Sequence, residues 1–269
     1  MKIAFLGGGN MANALIGGLL ARGFDARAIS VIEVNPAARE RLAAHRVRVS
    51  AAPDAATGGA EVLVLAVKPQ DMRRALASLG GAMGGKLVIS IAAGVRIASL
   101  SRWLGGHRKV VRCMPNTPAL IAAGITGLYA PPGVTPEERG RAEQVLAAAG
   151  EVVWLSDERL IDVVTAVSGN GPAYVFWFME QLAAFAERSG IGAPEAQRLA
   201  LHTVLGAAKL AAGSAEPPAA LRRNVTSKGG TTEAALKAFD AEQLAERLAR
   251  ALEAAVRRGG ELGDELGKD

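Results

Sequence analysis

The chain has 269 residues, of which 50% are hydrophobic and only 4% aromatic, and its formal net charge at pH 7 is +5. This length allows a large core in one or two domains. The absence of a membrane-length apolar run argues against a membrane protein, and the few aromatics and dispersed cations argue against a nucleic-acid surface. The scattered His45, His107 and His202 lack metal-ligand spacing. The single cysteine, Cys113, excludes an internal disulfide and favours a reducing compartment, so we predict a cytoplasmic protein without membrane, nucleic-acid or metal partners.

The first half of the chain alternates short apolar runs with helical patterns. Continuous apolar runs, typical of strands covered on both faces, lie at residues 2–6, 29–34, 62–67, 87–91 and 110–114. Helical patterns between them cover residues 11–22, 36–45, 69–79 and 97–104, and a strand (127–130), a helix (136–149) and a strand (152–155) follow. This alternation predicts a parallel, doubly wound sheet and an α/β domain over residues 1–156.

The pattern changes near residue 157, after which the sequence predicts helices without strands. The helical patterns cover residues 157–167, 173–189, 194–212, 218–225, 231–239 and 241–258. The helix over 173–189 is apolar nearly all round, which predicts burial between subunits. Residues 259–269 have the composition of a frayed polar tail. We therefore expect an all-α dimerisation and substrate-binding domain over residues 157–269.

A glycine-rich turn directly follows the first strand and opens the first helix. In Gly7-x-Gly9-x-x-Ala12, Gly7 permits a tight turn, Gly9 lets a pyrophosphate approach, and Ala12 lets the helix pack closely on the strand. The N–H groups at the start of the helix favour a phosphate. In this position the motif predicts a Rossmann-type dinucleotide-binding domain, with NADPH or NADH as the cofactor.

The end of the second strand leaves the choice between NADH and NADPH open. Glu33 lies where a carboxylate would bind the ribose hydroxyls of NAD and repel a 2′-phosphate. Asn35, Arg39 and Arg41 lie just beyond it and could hold that phosphate instead.

Three further strand ends are expected at the carboxyl edge of the sheet, where open α/β sheets bind ligands. The segment AVKPQ (66–70) carries Lys68, which either lies near the cofactor ribose or the substrate carboxylate or caps the sheet edge. The small residues of SIAAG (90–94) leave room for a ring, and the stiff turn RCMPNTP (112–118) is expected beside the nicotinamide. We interpret Cys113 as a small buried residue and not as a nucleophile.

The segment LRRNVTSKGGTTEAALKAFD (221–240) predicts a pocket for a small carboxylate. Its paired glycines let backbone N–H groups approach a ligand, and its threonines bring hydroxyls to the first turn of a helix. A dinucleotide site and a small-acid site in one chain together predict a reductase.

These segments, in this order, resemble pyrroline-5-carboxylate reductase. The matching segments are LGGGNMA (6–12), AVKPQ (66–70), SIAAGV (90–95), RCMPNTPA (112–119), SGNGPAYVF (168–176) and VTSKGGTTEAAL (225–236). The resemblance implies a Rossmann domain followed by a helical domain that interlocks with that of a second subunit, in a homodimer or a larger homo-oligomer. It also implies the last step of proline biosynthesis, the reduction of 1-pyrroline-5-carboxylate to L-proline by NAD(P)H.

The site residues that we expect follow from the matched segments and the strand ends. The expected cofactor-binding residues are Gly7, Gly9, Asn10, Met11, Ala12, Asn35, Ala66, Val67, Lys68, Pro69, Gln70, Ala92, Ala93 and Asn116. The expected substrate-binding residues are Ser227, Gly229, Gly230, Thr231 and Thr232. Thr232 is the candidate catalytic residue, as the hydrogen-bond partner of the ring nitrogen. The chain departs from the family pattern at Asn170, where serine is usual, and at Lys228, where proline is common; Lys228 either attracts the carboxylate or points to solvent.

The sequence contains no catalytic dyad or motif-placed general acid, which suits reduction of a cyclic imine. If the nitrogen is already protonated, the iminium carbon accepts hydride with little acid catalysis. One alternative is a 3-hydroxyacid dehydrogenase-like carbonyl reductase, which needs a proton donor, commonly a lysine after a glycine-rich turn. No lysine occurs between Lys109 and Lys209. A second alternative is a non-catalytic NADPH-binding protein. Such a protein would be expected to have a decayed substrate loop, whereas the segment 225–236 is intact.

Overall fold

A computed structural model of the chain describes residues 1–80 and 83–268. Contacts divide the chain into two compact units, one made of Met1–Asn170 with the chain from Ala255 onward, and the other of Gly171–Ala254. The predicted domain boundary between residues 156 and 157 stays a prediction. Among the described residues, no helix is both long enough and apolar enough to cross a membrane.

The first unit is built on one mixed sheet, in which the structure describes eight strands in the order β3-β2-β1-β4-β5-β6-β7-β8. The strands are β1 (Ile3–Leu6), β2 (Ile29–Ile32), β3 (Arg48–Ser50), β4 (Val62–Leu65), β5 (Leu87–Ser90), β6 (Val110–Met114), β7 (Gly124–Tyr129) and β8 (Gly150–Trp154). Strands β1 to β6 are parallel, β7 runs antiparallel to β6, and β8 is parallel to β7. The doubly wound sheet predicted from the apolar runs is therefore confirmed.

The order of the strands creates a crevice at the carboxyl ends of β1 and β4. From β1 the chain proceeds to β2 and β3 on one side and then returns to β4 on the other. Ligands of open α/β sheets bind at such a reversal. Every residue of β1 and β4 is buried, as expected for strands covered by helices on both faces. The central strands thus form a rigid base for the loops that follow them.

Helices cover this sheet and are separated by short turns. They are α1 (Asn10–Ala21), α2 (Pro36–Ala43), α3 (Ala55–Gly58), α4 (Met72–Ala77), α5 (Ile97–Trp103), α6 (Pro136–Leu146) and α7 (Leu160–Val164). The predicted helix over 69–79 begins as a 3₁₀ turn, Pro69–Asp71, and the predicted helix over 136–149 ends as one, Ala147–Ala149. A π-helical turn, Thr165–Gly169, follows α7.

The second unit is entirely helical. It contains α8 (Gly171–Arg188), α9 (Ala193–Ala212), α10 (Pro218–Asn224), α11 (Thr231–Ala241) and the beginning of α12 (Leu244–Leu266). The small buried side chains Ala183, Ala196 and Ala200 let α8 and α9 pack closely. Large apolar side chains of α8 stay exposed in the single chain, with Phe176 60% and Trp177 58% accessible. An exposed apolar surface of this kind marks an interaction site.

The predicted frayed tail over residues 259–269 is wrong for the described residues. Helix α12 continues to Leu266, and its last turns belong to the sheet unit. Leu266 packs against the buried cluster that contains Leu65 and Leu100. The helix extends because its apolar residues, Leu262 and Leu266, are four apart and lie on one face. The composition of residues 259–269 did not predict this helix, because Leu262 and Leu266 are surrounded by glycines and charged residues.

Candidate active site

The glycine turn and the segment 66–70 meet at the crevice between β1 and β4. The N–H of Gly7 donates to the carbonyl of Ile32 at 2.8 Å, and the N–H of Ala66 donates to the carbonyl of Leu6 at 2.8 Å. Gly7 has φ +98°, and a Cβ there would lie 2.7 Å from the carbonyl oxygen of Ala66. Only glycine fits this conformation and this gap. The turn is therefore fixed against both neighbouring strands.

The residues of this turn fit a dinucleotide. In the described residues, the space around the position that a Cβ of Gly9 would occupy is open to 4 Å, which leaves room for a phosphate. Gly9 is the N-cap of α1, so the N–H groups of Asn10 and Met11 have no partners within the helix. A cleft of about 560 Å³ lies beside them. Residues that line it include Gly7, Gly9, Asn35, Ala66, Val67 and Lys68.

Other predicted cofactor residues lie next to this cleft along the chain. Ala12 is fully buried on the face of α1 that packs against the sheet, where its small side chain allows close packing. Lys68 is exposed in the cleft wall, which favours a ligand-facing position over a cap of the sheet edge. It directly precedes the 3₁₀ turn that contains Pro69 and Gln70. The segment therefore presents the side chain of Lys68 at the rim of the crevice.

Glu33 is directed at the backbone of the glycine turn. Its Oε2 accepts a hydrogen bond from the N–H of Gly8 at 2.8 Å, and its Oε1 accepts one from the N–H of Asn35 at 2.7 Å. The Asn35 side chain caps α2 by accepting from the N–H of Ala38. The guanidinium of Arg39 donates to the carbonyls of Glu33 and Val34 at 3.0 and 2.8 Å. These groups form one hydrogen-bonded turn at the edge of the cleft.

The ends of β5 and β6 adjoin the same edge of the sheet. Ala92 is buried and Ala93 is half-buried after β5. Asn116 is buried after β6, and its Oδ1 accepts from the N–H of Ile125 at 2.9 Å, which ties the turn to β7. A Cβ on Gly169, in the π-helical turn, would lie 2.7 Å from Cε of Met114. Such π-helical turns are frequent at functional sites.

The role of Arg112 was not predicted from the sequence. This side chain is only 2% exposed in the middle of β6, where its Nη1 lies 3.2 Å from Oε1 of Glu158 and its Nη2 lies 2.9 Å from Oδ1 of Asp162. Glu158 also accepts from the N–H of Ile97 at 2.8 Å. A buried arginine therefore joins β6 to α7 and to the start of α5. Two features of the sequence could have predicted this ion-pair cluster. One is an arginine inside an apolar strand, and the other is the pair of carboxylates four residues apart, Glu158 and Asp162.

Cys113 is buried, in agreement with the interpretation from sequence. Its Sγ donates to the carbonyl of Ser90 at 3.2 Å, and burial raises the pKa of this thiol well above its usual range. A thiol that stays protonated is a poor nucleophile.

In the helical unit, the predicted substrate-binding residues lie together in the turn before α11 and at the first two positions of that helix. The N–H of Gly230 donates to the carbonyl of Ser227 at 3.0 Å, and Gly229 has φ +75°. The N–H of Gly229 donates to Oε2 of Glu233 at 2.6 Å. Thr231 begins α11, and both Thr231 and Thr232 are exposed. Lys228 is also exposed.

Two family models together match most of the chain. Residues 158–262 match the model for pyrroline-5-carboxylate reductase dimerisation, and residues 2–94 match the model for coenzyme F420-dependent NADP oxidoreductases. The pyrroline-5-carboxylate reductase of Pseudomonas aeruginosa is 46% identical over 269 residues, which cover 99% of this chain and 98% of that protein. This chain belongs to the pyrroline-5-carboxylate reductase family. The reductase of Pasteurella multocida is 41% identical and covers 96% of each chain.

Solved structures agree with this membership of the pyrroline-5-carboxylate reductase family. The reductase of Coxiella burnetii matches with a TM-score of 0.92 and 39% identity, over 97% of this chain and 98% of that one. The Plasmodium falciparum reductase, solved with NADP bound, matches with a TM-score of 0.83 and 25% identity over 98% of each chain. A 3-hydroxyisobutyrate dehydrogenase from Mycobacterium tuberculosis shares only the fold, with a TM-score of 0.51 and 21% identity over 71% of this chain. The comparisons thus favour the reductase over the hydroxyacid dehydrogenase.

Proposed function

We propose that this protein reduces 1-pyrroline-5-carboxylate to L-proline, the last step of proline biosynthesis. It is an NAD(P)H-dependent oxidoreductase that acts on a cyclic imine. The observation that carries this conclusion is the 46% identity to a pyrroline-5-carboxylate reductase over nearly the full length of both chains. The glycine turn and the threonine-bearing turn described above are the two sites that such a reaction needs.

The sheet unit would hold the cofactor. Gly7, Gly9 and the first-turn N–H groups of Asn10, Met11 and Ala12 would bind the pyrophosphate, and Asn35 would lie on the adenosine side. The segment 66–70, which carries Lys68, would line the ribose next to the nicotinamide, and Ala92, Ala93 and Asn116 would lie near the ring. When bound, NAD(P)H supplies the hydride and its nicotinamide carries the redox chemistry.

The turn before α11 and the first two residues of that helix would bind the substrate. Ser227, Gly229, Gly230, Thr231 and Thr232 offer hydroxyls and helix-start N–H groups, which suit a carboxylate. Thr232 is the residue that we assign to the ring nitrogen, whose N–H would donate to the hydroxyl oxygen. A protonated imine leaves no need for a general acid, so these residues bind and orient the substrate without moving a proton.

We also propose a homodimer. The matched dimerisation model and the exposed aromatic side chains of α8, among them Phe176 and Trp177, support an interface between copies of this chain. Light scattering after size-exclusion chromatography would measure the mass of the assembly, and a monomer at micromolar concentration would contradict the proposal. The cytoplasmic location and the absence of nucleic-acid partners stay predictions.

The proposed activity is tested by mixing the purified protein with NADPH and 1-pyrroline-5-carboxylate and following absorbance at about 340 nm, the nicotinamide band. We expect oxidation of NADPH and formation of proline in equal amounts. A parallel assay with 3-hydroxyisobutyrate and NAD⁺ should show no turnover. Binding of NADPH without oxidation would instead favour a nucleotide-binding protein and would contradict the proposed activity.

A further inference from the structure

Glycines recur at intervals of four near the end of the chain. Gly259 and Gly263 lie in α12, and Gly267 directly follows it. Glycine destabilises a helix relative to alanine, so a glycine repeated inside one usually has a packing reason. Residues four apart lie on the same face. These glycines therefore form a flat face, and we call residues 259–267 the C-terminal strap.

The flat face of the strap accommodates Arg96, the residue before α5. A Cβ on Gly263 would lie 2.8 Å from Nε of Arg96. Nη1 of Arg96 pairs with Oδ1 of Asp264 at 2.7 Å, and Nη2 donates to the carbonyl of Gly260 at 3.1 Å. The guanidinium is thus held by one carboxylate and one backbone carbonyl on the same helix. A planar fork fits such a pair of acceptors better than an ammonium does.

The strap holds the preceding loop at a second point, Gly94. This glycine has φ +75°, and a Cβ there would lie 3.1 Å from Cδ1 of Leu266 and 3.4 Å from Cβ of Leu262. Gly94 directly follows Ala92 and Ala93, and Arg96 lies two residues further along the chain. The strap therefore contacts both ends of a three-residue stretch that adjoins the small residues after β5.

We propose that the C-terminal strap positions the loop over residues 92–96 for hydride transfer, with Arg96 as the positioning residue. This inference rests on the proposed function, which puts Ala92 and Ala93 beside the nicotinamide ring. The pyrophosphate and the ribose are assigned to other segments. Loss of the strap contact therefore lowers the rate of the chemical step and leaves the affinity for the cofactor nearly unchanged, because small displacements of positioning groups affect the transition state most.

The test replaces Arg96 by alanine in the full chain. We expect kcat to fall by at least about tenfold, while the Kd for NADPH, measured by fluorescence titration, changes by less than about threefold. Hydrogen–deuterium exchange in peptides covering residues 90–96 should accelerate, in the absence of substrate as well. The Arg96→Lys variant keeps the charge near Asp264 but loses the fork, so it should recover part of kcat.

Arg258→Ala is the matched control, because Arg258 lies on the same helix and pairs with Glu261 and Glu265 of that helix. Its kcat should equal that of the wild type. If Arg96→Ala fails to fold, Gly263→Ala adds one methyl group against the guanidinium and should accelerate exchange over 90–96.

Equal kcat losses in Arg96→Ala and Arg258→Ala, or unchanged exchange over 90–96, would overturn the role of the strap. Failure of the wild type to oxidise NADPH would overturn the proposed function and with it the role in hydride transfer. The exchange measurement needs no substrate and would still test separately whether the strap holds residues 90–96.

Discussion

The carboxylate of Glu33 accepts a hydrogen bond from the backbone N–H of Gly8 at 2.8 Å, and so joins the end of β2 to the glycine turn. Its other oxygen accepts from the N–H of Asn35 at 2.7 Å. The side chain is held in place at the edge of the cleft proposed for the cofactor. We therefore expect its negative charge to repel the 2′-phosphate of NADPH bound in this cleft.

Replacing Glu33 by glutamine should shift the cofactor preference towards NADPH. The amide keeps one acceptor for the backbone N–H groups and removes the charge. We expect the ratio of the Kd for NADPH to the Kd for NADH to fall about fivefold, since two charges a few ångströms apart in water interact by about 1 kcal/mol. Fluorescence titration of both nucleotides measures this ratio. Glu40→Gln, an exposed change on α2, is the control. An unchanged ratio for Glu33→Gln would show that this carboxylate does not read the ribose.

Replacing Thr232 by alanine should lower turnover and spare the cofactor. Loss of one hydrogen bond to the ring nitrogen should reduce kcat by at least about tenfold. The Kd for NADPH should stay within about twofold, because the cofactor is assigned to residues of the sheet unit. Thr232→Ser keeps the hydroxyl and should recover most of kcat. Steady-state kinetics with full turnover in Thr232→Ala would remove Thr232 from the mechanism.

The sheet was predictable because its central strands are continuous apolar runs and its first turn uses glycines in a recognisable order. Strand β3 was not predicted, since it has three residues, Arg48–Ser50, and none of them is fully buried. Its pairing with β2 depends on the neighbouring strand and not on its own composition. Short edge strands of this kind carry too few residues for a periodic signal.

The site was predictable where a motif has its own backbone requirement, as at Gly7 with φ +98°. It was not predictable where the partners are distant along the chain. Arg112 and Asp162 are 50 residues apart, and Arg96 and Gly260 are 164 apart. Such contacts are set by the packing of α7 and α12 on the sheet unit, which no local pattern of charge reveals. The packed end of α12 was missed for the same reason.

The side chain of Glu233 accepts a hydrogen bond from the N–H of Gly229 at 2.6 Å. This N–H belongs to the turn proposed for the substrate carboxylate and is therefore already paired. The carboxylate of Glu233 holds the turn, and we expect it to add negative charge beside the proposed carboxylate site. Glu233→Gln keeps an acceptor and removes the charge, so the KM for 1-pyrroline-5-carboxylate should fall about threefold. Glu233→Ala removes the contact as well and should raise that KM. Initial rates over a range of substrate concentrations distinguish the two. A change of the same sign in both variants would contradict this dual role.

The stability of the sheet unit should depend on pH through Glu138, which fastens α6 to the start of β6. Burial favours the protonated form, but hydrogen bonds from Lys109 and from the N–H of Thr135 outweigh it and hold the pKa of Glu138 below its ordinary value of 4.5. The Lys109 Nζ lies 2.6 Å from Oε1, and the N–H of Thr135 lies 3.0 Å from Oε2. A carboxyl whose pKa is lower in the folded state stabilises the fold above its unfolded pKa. This contribution is lost as the pH falls through the folded value.

Glu138→Gln should therefore lower the free energy of unfolding by about 1 kcal/mol at pH 7, and this difference from the wild type should shrink as the pH falls below 4.5. Urea unfolding at pH 7, 5 and about 4 measures the difference at each pH. Glu137→Gln is the matched control, because that side chain is 77% exposed and its pair with Arg141 contributes little. A gap between wild type and Glu138→Gln that stays constant with pH would mean that packing around residue 138, and not its charge, stabilises the junction of α6 and β6.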